Sequence, residues 1–319
     1  MTGGAGFIGS HLAEALVRLG ATVAVIDDLV GGSRENLRSF PVEFVHDSIL
    51  NREALSRCTA GCRYVFHQAA LGSVPASVER PRVFNEVNTI GTLNVLEAAR
   101  EAGAKRVVFA ASSSAYGDNP VPWIETMPPM PKSPYAATKL AGEGLLRAWA
   151  NSYGLDTASL RYFNIFGPRQ NANSAYAAVI AAFAKAMIAG KRPVIYGDGE
   201  QSRDFTFVAN AVHANLLAAR CEKPIRGEVL NVGCAGAVSV NQLAKSMAAA
   251  MGRPDLCPAH EPERTGDIKH SFADLKRTTQ VLGYKPIVGF EPGLQQTIKW
   301  YQSVLSSASP ALSPSGLRL

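Results

Sequence analysis

The chain opens on Thr2-Gly3-Gly4-Ala5-Gly6-Phe7-Ile8-Gly9-Ser10-His11-Leu12, and no other segment limits the fold so tightly. Gly3, Gly6 and Gly9 recur at every third position and lead straight into a helical pattern. Glycine at those places permits a tight turn and lets backbone N–H groups approach a pyrophosphate at the positive end of a helix. The apolar run Val23 to Ile26 then ends in Asp27 and Asp28, 18 and 19 residues beyond Gly9. A carboxylate there can accept both ribose hydroxyls of an adenine dinucleotide and repel a 2′-phosphate, which favours NAD over NADP. The plain alternative for Asp27 is a loop or helix-capping acid. A turn of this kind must follow a strand, yet Met1 already holds the place of that strand's last residue. The first strand, about five residues by ordinary strand lengths, is expected to be truncated, with the natural chain starting further upstream.

Short apolar runs alternate with helical ones through the first 165 residues. Residues 21–26, 42–45, 63–66, 106–110 and 158–161 read as buried strands, and 10–19, 52–58, 83–102 and 136–153 as helices. This alternation implies right-handed βαβ units and an α/β fold, a doubly wound parallel-sheet Rossmann domain. After Gly167-Pro168 the pattern is irregular, with helices expected over 177–189, 209–219, 240–251 and 292–301 and strands over 194–196 and 229–232. The expected division is an NAD-binding domain over 1–165, to which 204–235 returns, and a smaller discontinuous α/β substrate domain from 166–203 and 236–303. Residues 304–319, rich in Ser and Pro, read as a disordered tail.

Composition removes several function classes. The 319 residues are 47% hydrophobic and 18% charged, enough for a sizeable core and too apolar for a disordered chain. No apolar run reaches the ~18–20 residues of a membrane span. The net charge of +6 is dispersed, without a basic stripe or an aromatic stacking platform, so an anionic small molecule is expected as partner rather than nucleic acid. Five scattered cysteines suit a reducing, cytoplasmic setting, and Cys58 and Cys62 lack the second ligand pair of a metal site.

The reactive constellation lies downstream. The strand from Arg106 runs into Ser112-Ser113-Ser114-Ala115-Tyr116-Gly117, and Tyr135-Ala136-Ala137-Thr138-Lys139 begins a helix 19 residues after Tyr116. Four-residue spacing puts Tyr135 and Lys139 on one helix face. An ammonium near a phenol stabilises the phenolate, so the pair can act as a general base, while a serine at the strand end hydrogen-bonds the same substrate oxygen. Tyr and Lys four apart are common; behind a glycine turn, an acid-ended strand and a serine-ended strand they are not.

These residues resemble the extended short-chain dehydrogenases/reductases, in particular their NAD-dependent nucleotide-sugar epimerases and dehydratases. The likeness reaches to about Tyr301 and is carried by TGGAGFIGSHL, Asp27, HQAA (67–70), NTIGTLNVLEAA (88–99), SSSAYG, YAATK, RYFNIFGPRQ (161–170), GDGEQSRDF (197–205) and RTGDIKHSFAD (264–274). It implies Ser112, Tyr135 and Lys139 as catalytic triad. It further implies that Gly3, Gly6, Phe7, Ile8, Gly9, Asp27, Asp47, Ala69 and Asn88 line NAD, with Tyr162 near the nicotinamide. For substrate it implies Asn164 and Arg203 at a diphosphate, the 194–196 strand (Val194, Tyr196) against a uracil, and Arg264 with Asp267 on the nucleotide. Ser73, Ser113, Ala178 and Val179 complete the sugar pocket it implies.

Within the group, dehydratases carry an Asp-Glu pair directly after the catalytic Ser or Thr, and decarboxylases a Glu. Here Ser113, Ser114 and Ala115 follow, so the resemblance implies epimerisation at C4. The position bounding the pocket near C2 is a bulky Tyr in plain-hexose epimerases and matches Ser271 here. With 70–75 and 175–180 it points to the bacterial epimerases that interconvert UDP-GlcNAc and UDP-GalNAc. The rivals are UDP-glucose and UDP-glucuronate epimerases, the latter drawing on Arg80 or Arg82, and from another class a non-catalytic NAD-binding sensor. Ala181 stands where relatives often have Pro, and Asn210 where many have Asp. The family also implies a homodimer through helices 83–102 and 136–153, to which Leu93, Leu96, Leu140 and Leu145 would contribute, the alternative for each leucine being packing against the sheet of its own subunit.

Overall fold

The computed structural model describes residues 1–172, 178–263 and 268–306. In chain order its main elements are α1 (Phe7–Arg18), β1 (Ala24–Asp27), β2 (Glu43–His46), α2 (Arg52–Thr59), β3 (Tyr64–His67), α3 (Gly91–Glu101), β4 (Arg106–Ser112), α4 (Pro134–Tyr153), β5 (Asp156–Tyr162), α5 (Val179–Ile188), α6 (Val208–Arg220), β6 (Glu228–Val232), α7 (Val240–Ala250) and α8 (Phe290–Ser306). The strands form one parallel sheet in the order β2-β1 and β3-β4-β5-β6, with Thr2 bridging β1 and β3. Thr2 donates to Phe66 O at 3.0 Å and accepts from Gln68 at 3.1 Å, while Met1 O accepts from Ile26 at 2.9 Å. Met1 and Thr2 thus sit in the central slot where the sequence places the end of a first strand, and hydrogen-bond on both sides.

Strand alternation builds the layers. Along β4, Val108 and Ala110 face α1 and α6, meeting Leu12, Ala13, Ala211, Ala214 and Ala218. Val107, Phe109 and Ala111 face the opposite layer, where Leu55, Val95, Leu96, Ala99 and Leu146 come from α2, α3 and α4. Burial on both faces makes the strand a continuous apolar run, as a parallel sheet requires. Leu96 is fully buried in this layer and has no free surface for a dimer, which corrects its expected role. Buried Arg106 at the start of β4 closes the end of α6, donating to the Cys221 carbonyl at 2.8 Å and pairing with Asp156. It gives the terminal carbonyl groups of that helix the donors they lack internally.

The helix expected over 83–102 is split into a turn at Pro81–Asn85, a π-helical turn at Glu86–Ile90 and α3. A short helix at Val74–Glu79 and several two- and three-residue strands carry too little periodicity to be read from sequence. A second apolar cluster, from α5, α7 and α8 with Phe166, Phe205 and Phe207, sits beyond the strand ends. Its small strands pair Ser202–Arg203 with Val238–Ser239 and His270–Ser271, and Val194–Tyr196 with Ala259–Glu261. Helix α8 continues to Ser306, three residues into the stretch expected as tail, while 307–319 lie outside the described residues. His11 on α1 meets Pro168 O at 2.9 Å and Glu14 pairs with Arg169, fastening the glycine-turn helix to the second cluster.

Candidate active site

The site is assembled at the carboxyl ends of the parallel strands, beginning with the turn after Thr2. Gly3 has φ +67°, and a Cβ there would stand 2.5 Å from Ala69 N. A Cβ on Gly9 would come within 2.1 Å of Gly3 O, so helix and turn approach as closely as backbone allows. Gly6 caps α1 without any side-chain hydrogen bond, which leaves the first helical amides, at Phe7 and Ile8, facing outward. Open amides over a floor without side chains fit the pyrophosphate of a dinucleotide. Asp27, buried at the end of β1, accepts from Ala5 N and Leu29 N, each at 2.9 Å. Burial raises its pKa and those two bonds oppose the rise. It is therefore a strut for the turn. Sequence reasoning missed the strap over this turn. Ser33 N and Asn36 Nδ2 both donate to Ala5 O, at 3.0 and 2.9 Å, and a Cβ on Gly32 would lie 2.8 Å from Ala5 C. The Gly31-Gly32 dipeptide was its signal.

Further along the strand ends, Asp47 accepts from Ser48 N at 2.7 Å and Asn51 Nδ2 at 2.8 Å, and Ala69 N donates to Thr2 Oγ1 at 3.3 Å. Tyr162 ends β5, its hydroxyl bonded to Asn215 Nδ2 at 2.6 Å and to Gln68, and burial pushes its phenol up to about 12. The amide of Asn88 donates to Leu71 O and to Thr138 Oγ1, both at 3.1 Å, and accepts from Leu71 N at 2.8 Å. With both N–H bonds taken, Asn88 braces the post-β3 loop against α4.

His67 is a second residue whose part only the structure shows. Fully buried, it bonds Thr2 Oγ1 at 2.7 Å and Thr92 Oγ1 at 2.9 Å, and burial, with nearby Lys139, drives its pKa down to about 3. A base depressed this way stabilises the fold above its ordinary pKa of 6.5 and loses that contribution as pH falls toward 3. The slope is about 1.4 kcal/mol per pH unit, so about 2 kcal/mol is gone by roughly pH 5. Urea unfolding of wild type and His67→Gln between those limits is expected to show this slope in the difference between the two proteins. Parallel stability curves would refute it.

The reactive group lies between β4 and α4. Ser112, the last residue of β4, accepts from Ser114 N at 3.2 Å and Ser114 Oγ at 2.8 Å, and hydrogen-bonds the Tyr135 phenol. Tyr135 stands in the first turn of α4, which Ser133 caps through Ala136 N, and its own amide is held by Ser77 Oγ at 3.1 Å. One turn on, buried Lys139 donates from Nζ to Ala110 O at 2.7 Å, with the Phe109 ring centroid 4.9 Å away. Burial lowers the lysine to about 7, Glu143 opposing, while burial raises the tyrosine, Ser112 opposing. Burial thus favours the neutral form of both groups; a phenolate formed at Tyr135 would gain from an ammonium on the same helix face.

On the substrate side, Asn164 takes φ +33° and its carbonyl accepts from Thr206 N at 3.2 Å. Arg203 is anchored through Nη1 on Ser202 O at 2.9 Å, and buried Ser271 is its register partner on the neighbouring strand. Ser113 is buried in the turn after Ser112, Ser73 caps the helix at Val74–Glu79, and Ala178 with Val179 begins α5. Val194 and Tyr196 belong to a different small sheet from Arg203. Arg264 and Asp267 lie outside the described residues. Arg80 and Arg82 are both exposed. Asp204, next to Arg203, was not singled out from sequence. It is buried and accepts from Cys234 N at 2.8 Å, Ala235 N at 3.0 Å and Ala273 N at 3.2 Å, and burial lifts its carboxyl to about 6. It ties the strand of Arg203 and Ser271 to the end of β6.

The geometry has close counterparts. Residues 1–233 match the NAD dependent epimerase/dehydratase family model. A UDP-glucose 4-epimerase of Mycolicibacterium smegmatis is 39% identical over 311 residues, covering 95% of this chain and 98% of its own. A UDP-N-acetylglucosamine 4-epimerase from Methanobrevibacter ruminantium, solved with UDP-N-acetylmuramic acid, superposes with a TM-score of 0.90 at 41% identity over 95% of this chain and 97% of that one. A UDP-glucose 4-epimerase of Thermus thermophilus, solved with NAD, gives a TM-score of 0.85 at 36% identity, covering 95% of this chain and 98% of that one. Among the described residues no helix is long and apolar enough to cross a membrane. A match that runs from the glycine turn through the last strand of the sheet, with relatives aligned along nearly the whole chain, makes this protein a member of the NAD-dependent epimerase/dehydratase family.

Proposed function

We propose that the protein is a UDP-sugar 4-epimerase acting on UDP-N-acetylglucosamine and UDP-N-acetylgalactosamine. The observation that carries the reaction type is the composition of the turn after β4. Ser112 meets Tyr135, and the three residues behind it, Ser113, Ser114 and Ala115, offer no second acid or base for eliminating water or carbon dioxide. The Phe7 and Ile8 amides over the glycine cradle would hold NAD, which would supply the hydride acceptor and donor for the sugar C4. Tyr135 takes the proton of the C4 hydroxyl, Ser112 holds that oxygen, and Lys139 stabilises the phenolate. After the ketose turns over, Tyr135 gives the proton back. No net oxidation occurs, so one bound cofactor serves every cycle. The anionic diphosphate pairs with Arg203, whose anchor on Ser202 O holds its guanidinium in place.

The choice of sugar rests on Ser271, small and buried beside the strand of Arg203. A serine leaves the volume that a tyrosine would fill, and a steric clash with a C2 substituent is worth one to a few kcal/mol, about 10–200-fold in specificity. The likeness to the Methanobrevibacter enzyme supports an acetylated sugar; the likeness to UDP-glucose epimerases supports the rival. A product assay decides: wild type saturated with NAD is expected to turn UDP-GlcNAc into UDP-GalNAc, and Ser271→Tyr to lose this at least about tenfold while keeping UDP-glucose turnover. Formation of UDP-galactose alone by the wild type would leave the chemistry and discard the gate. The proposed assembly is a homodimer in the cytoplasm, with Val83 and Ile90, exposed by 40% and 44%, on the outer face of the helices concerned.

A further inference from the structure

Tyr135, Lys139 and Glu143 follow one another at intervals of four on α4 and share one face. Glu143 is buried, and buried Arg161, next to the end of β5, grips both its oxygens: Nε to Oε1 at 2.8 Å and Nη2 to Oε2 at 2.7 Å. The Arg161 guanidinium also lies 4.4 Å from the Tyr116 ring centroid. An ion pair so deep gives the fold little net stability, since a well-packed apolar pair commonly serves as well. Its place, one helical turn below a lysine with no ion pair of its own, suggests another task.

We infer that Arg161 and Glu143 are a positioning pair for Lys139: Arg161 holds both carboxylate oxygens, so that Glu143 cannot draw the lysine down the helix, and Nζ stays on Ala110 O beside Tyr135. The inference rests on the Tyr135–Lys139 reading above. The groups facing Lys139 are Glu143 on its own helix, His67 from β3 and the Phe109 ring from β4, with Tyr135 one turn before it on the same helix face and Arg161 acting from β5 through Glu143. His67 is neutral at working pH, so Glu143 is the anion that matters. Paired, it leaves burial dominant and the ammonium weakly held; unpaired, its charge favours the ammonium and competes with Ala110 O for the same N–H bonds.

The test is ¹⁵N NMR titration of the lysine Nζ signals in the protein without cofactor, assigned by loss of one signal in Lys139→Arg. Wild-type Lys139 is expected to titrate near 7. In Arg161→Met the midpoint should rise by about one pH unit or more, and in Arg161→Met/Glu143→Met it should fall to the wild-type value or lower. The pH profile of kcat should move upward in the single variant, because a lysine drawn to Glu143 no longer supports the phenolate. An unchanged midpoint in Arg161→Met, or one that stays raised in the double variant, overturns the inference. Should Arg161→Met not fold, the double variant, which buries no lone charge, decides alone: a midpoint above the wild type's refutes the pair's role. If instead Tyr135→Phe keeps full turnover, the dyad reading fails and the Nζ titration is unaffected.

Discussion

Tyr135→Phe should lower kcat by roughly 10²–10⁴-fold, the range for losing a positioned general acid–base group. The substitution removes one oxygen and keeps the ring, the Ser77 bond to its amide and the Ser133 cap of α4. Fold and cofactor affinity are therefore expected to stay near wild type, which thermal unfolding and an NAD titration check directly. The loss should appear in kcat rather than in KM, because the phenol acts on the proton that leaves as hydride moves, and the diphosphate contacts are untouched. A variant that retains a tenth or more of the activity would mean that another base, with Ser112 the nearest hydroxyl, carries the proton.

Gly9→Ala is expected to cost the fold much of its stability. Its Cβ would stand 2.1 Å from Gly3 O, 2.9 Å from Gly3 C and 3.0 Å from Gly4 Cα, all backbone atoms that no rotamer change can clear. Overpacking of this kind costs about 3 kcal/mol, and for a chain of 319 residues the unfolding temperature should fall by roughly 4–5 °C on that figure. Gly6→Ala makes the contrast: its Cβ meets only Gly3 O at 3.3 Å, so the fold should survive while NAD affinity drops, because the new methyl stands over the open amides of α1. Circular dichroism melts beside NAD titrations separate the two. Equal stability losses would mean that the turn relaxes more than its hydrogen bonds to β1 and β3 suggest.

The strands β1 to β5 and the helices α1, α2 and α4 were legible because each carries enough residues of one period to be read locally. The candidate site was nameable for the same reason: glycine triplet, acid, serine-ended strand and Tyr–Lys pair are all local spacings. Asn88 shows the limit. Its identity was readable, but whether its amide faces a cofactor or braces Leu71 against Thr138 depends on groups 17 and 50 residues away. Asp204 and His67 were passed over because a buried polar residue looks like any other until its partners are known. Leu96 failed in the opposite sense, since an apolar helix residue can face either a partner or its own sheet, and here the sheet has it.

Local patterns were thus enough for the class of fold and for naming the candidate residues of a site, because period, turn geometry and side-chain chemistry act over a few residues. Which charges are shared became visible only in the packed chain. Arg161 reaches Glu143 across 18 residues, and two segments far apart in sequence, at 234–235 and at 273, converge on Asp204. Burial, which sets the charge balance of Lys139, His67 and Asp204, is a property of everything packed around a residue and not of its neighbours along the chain.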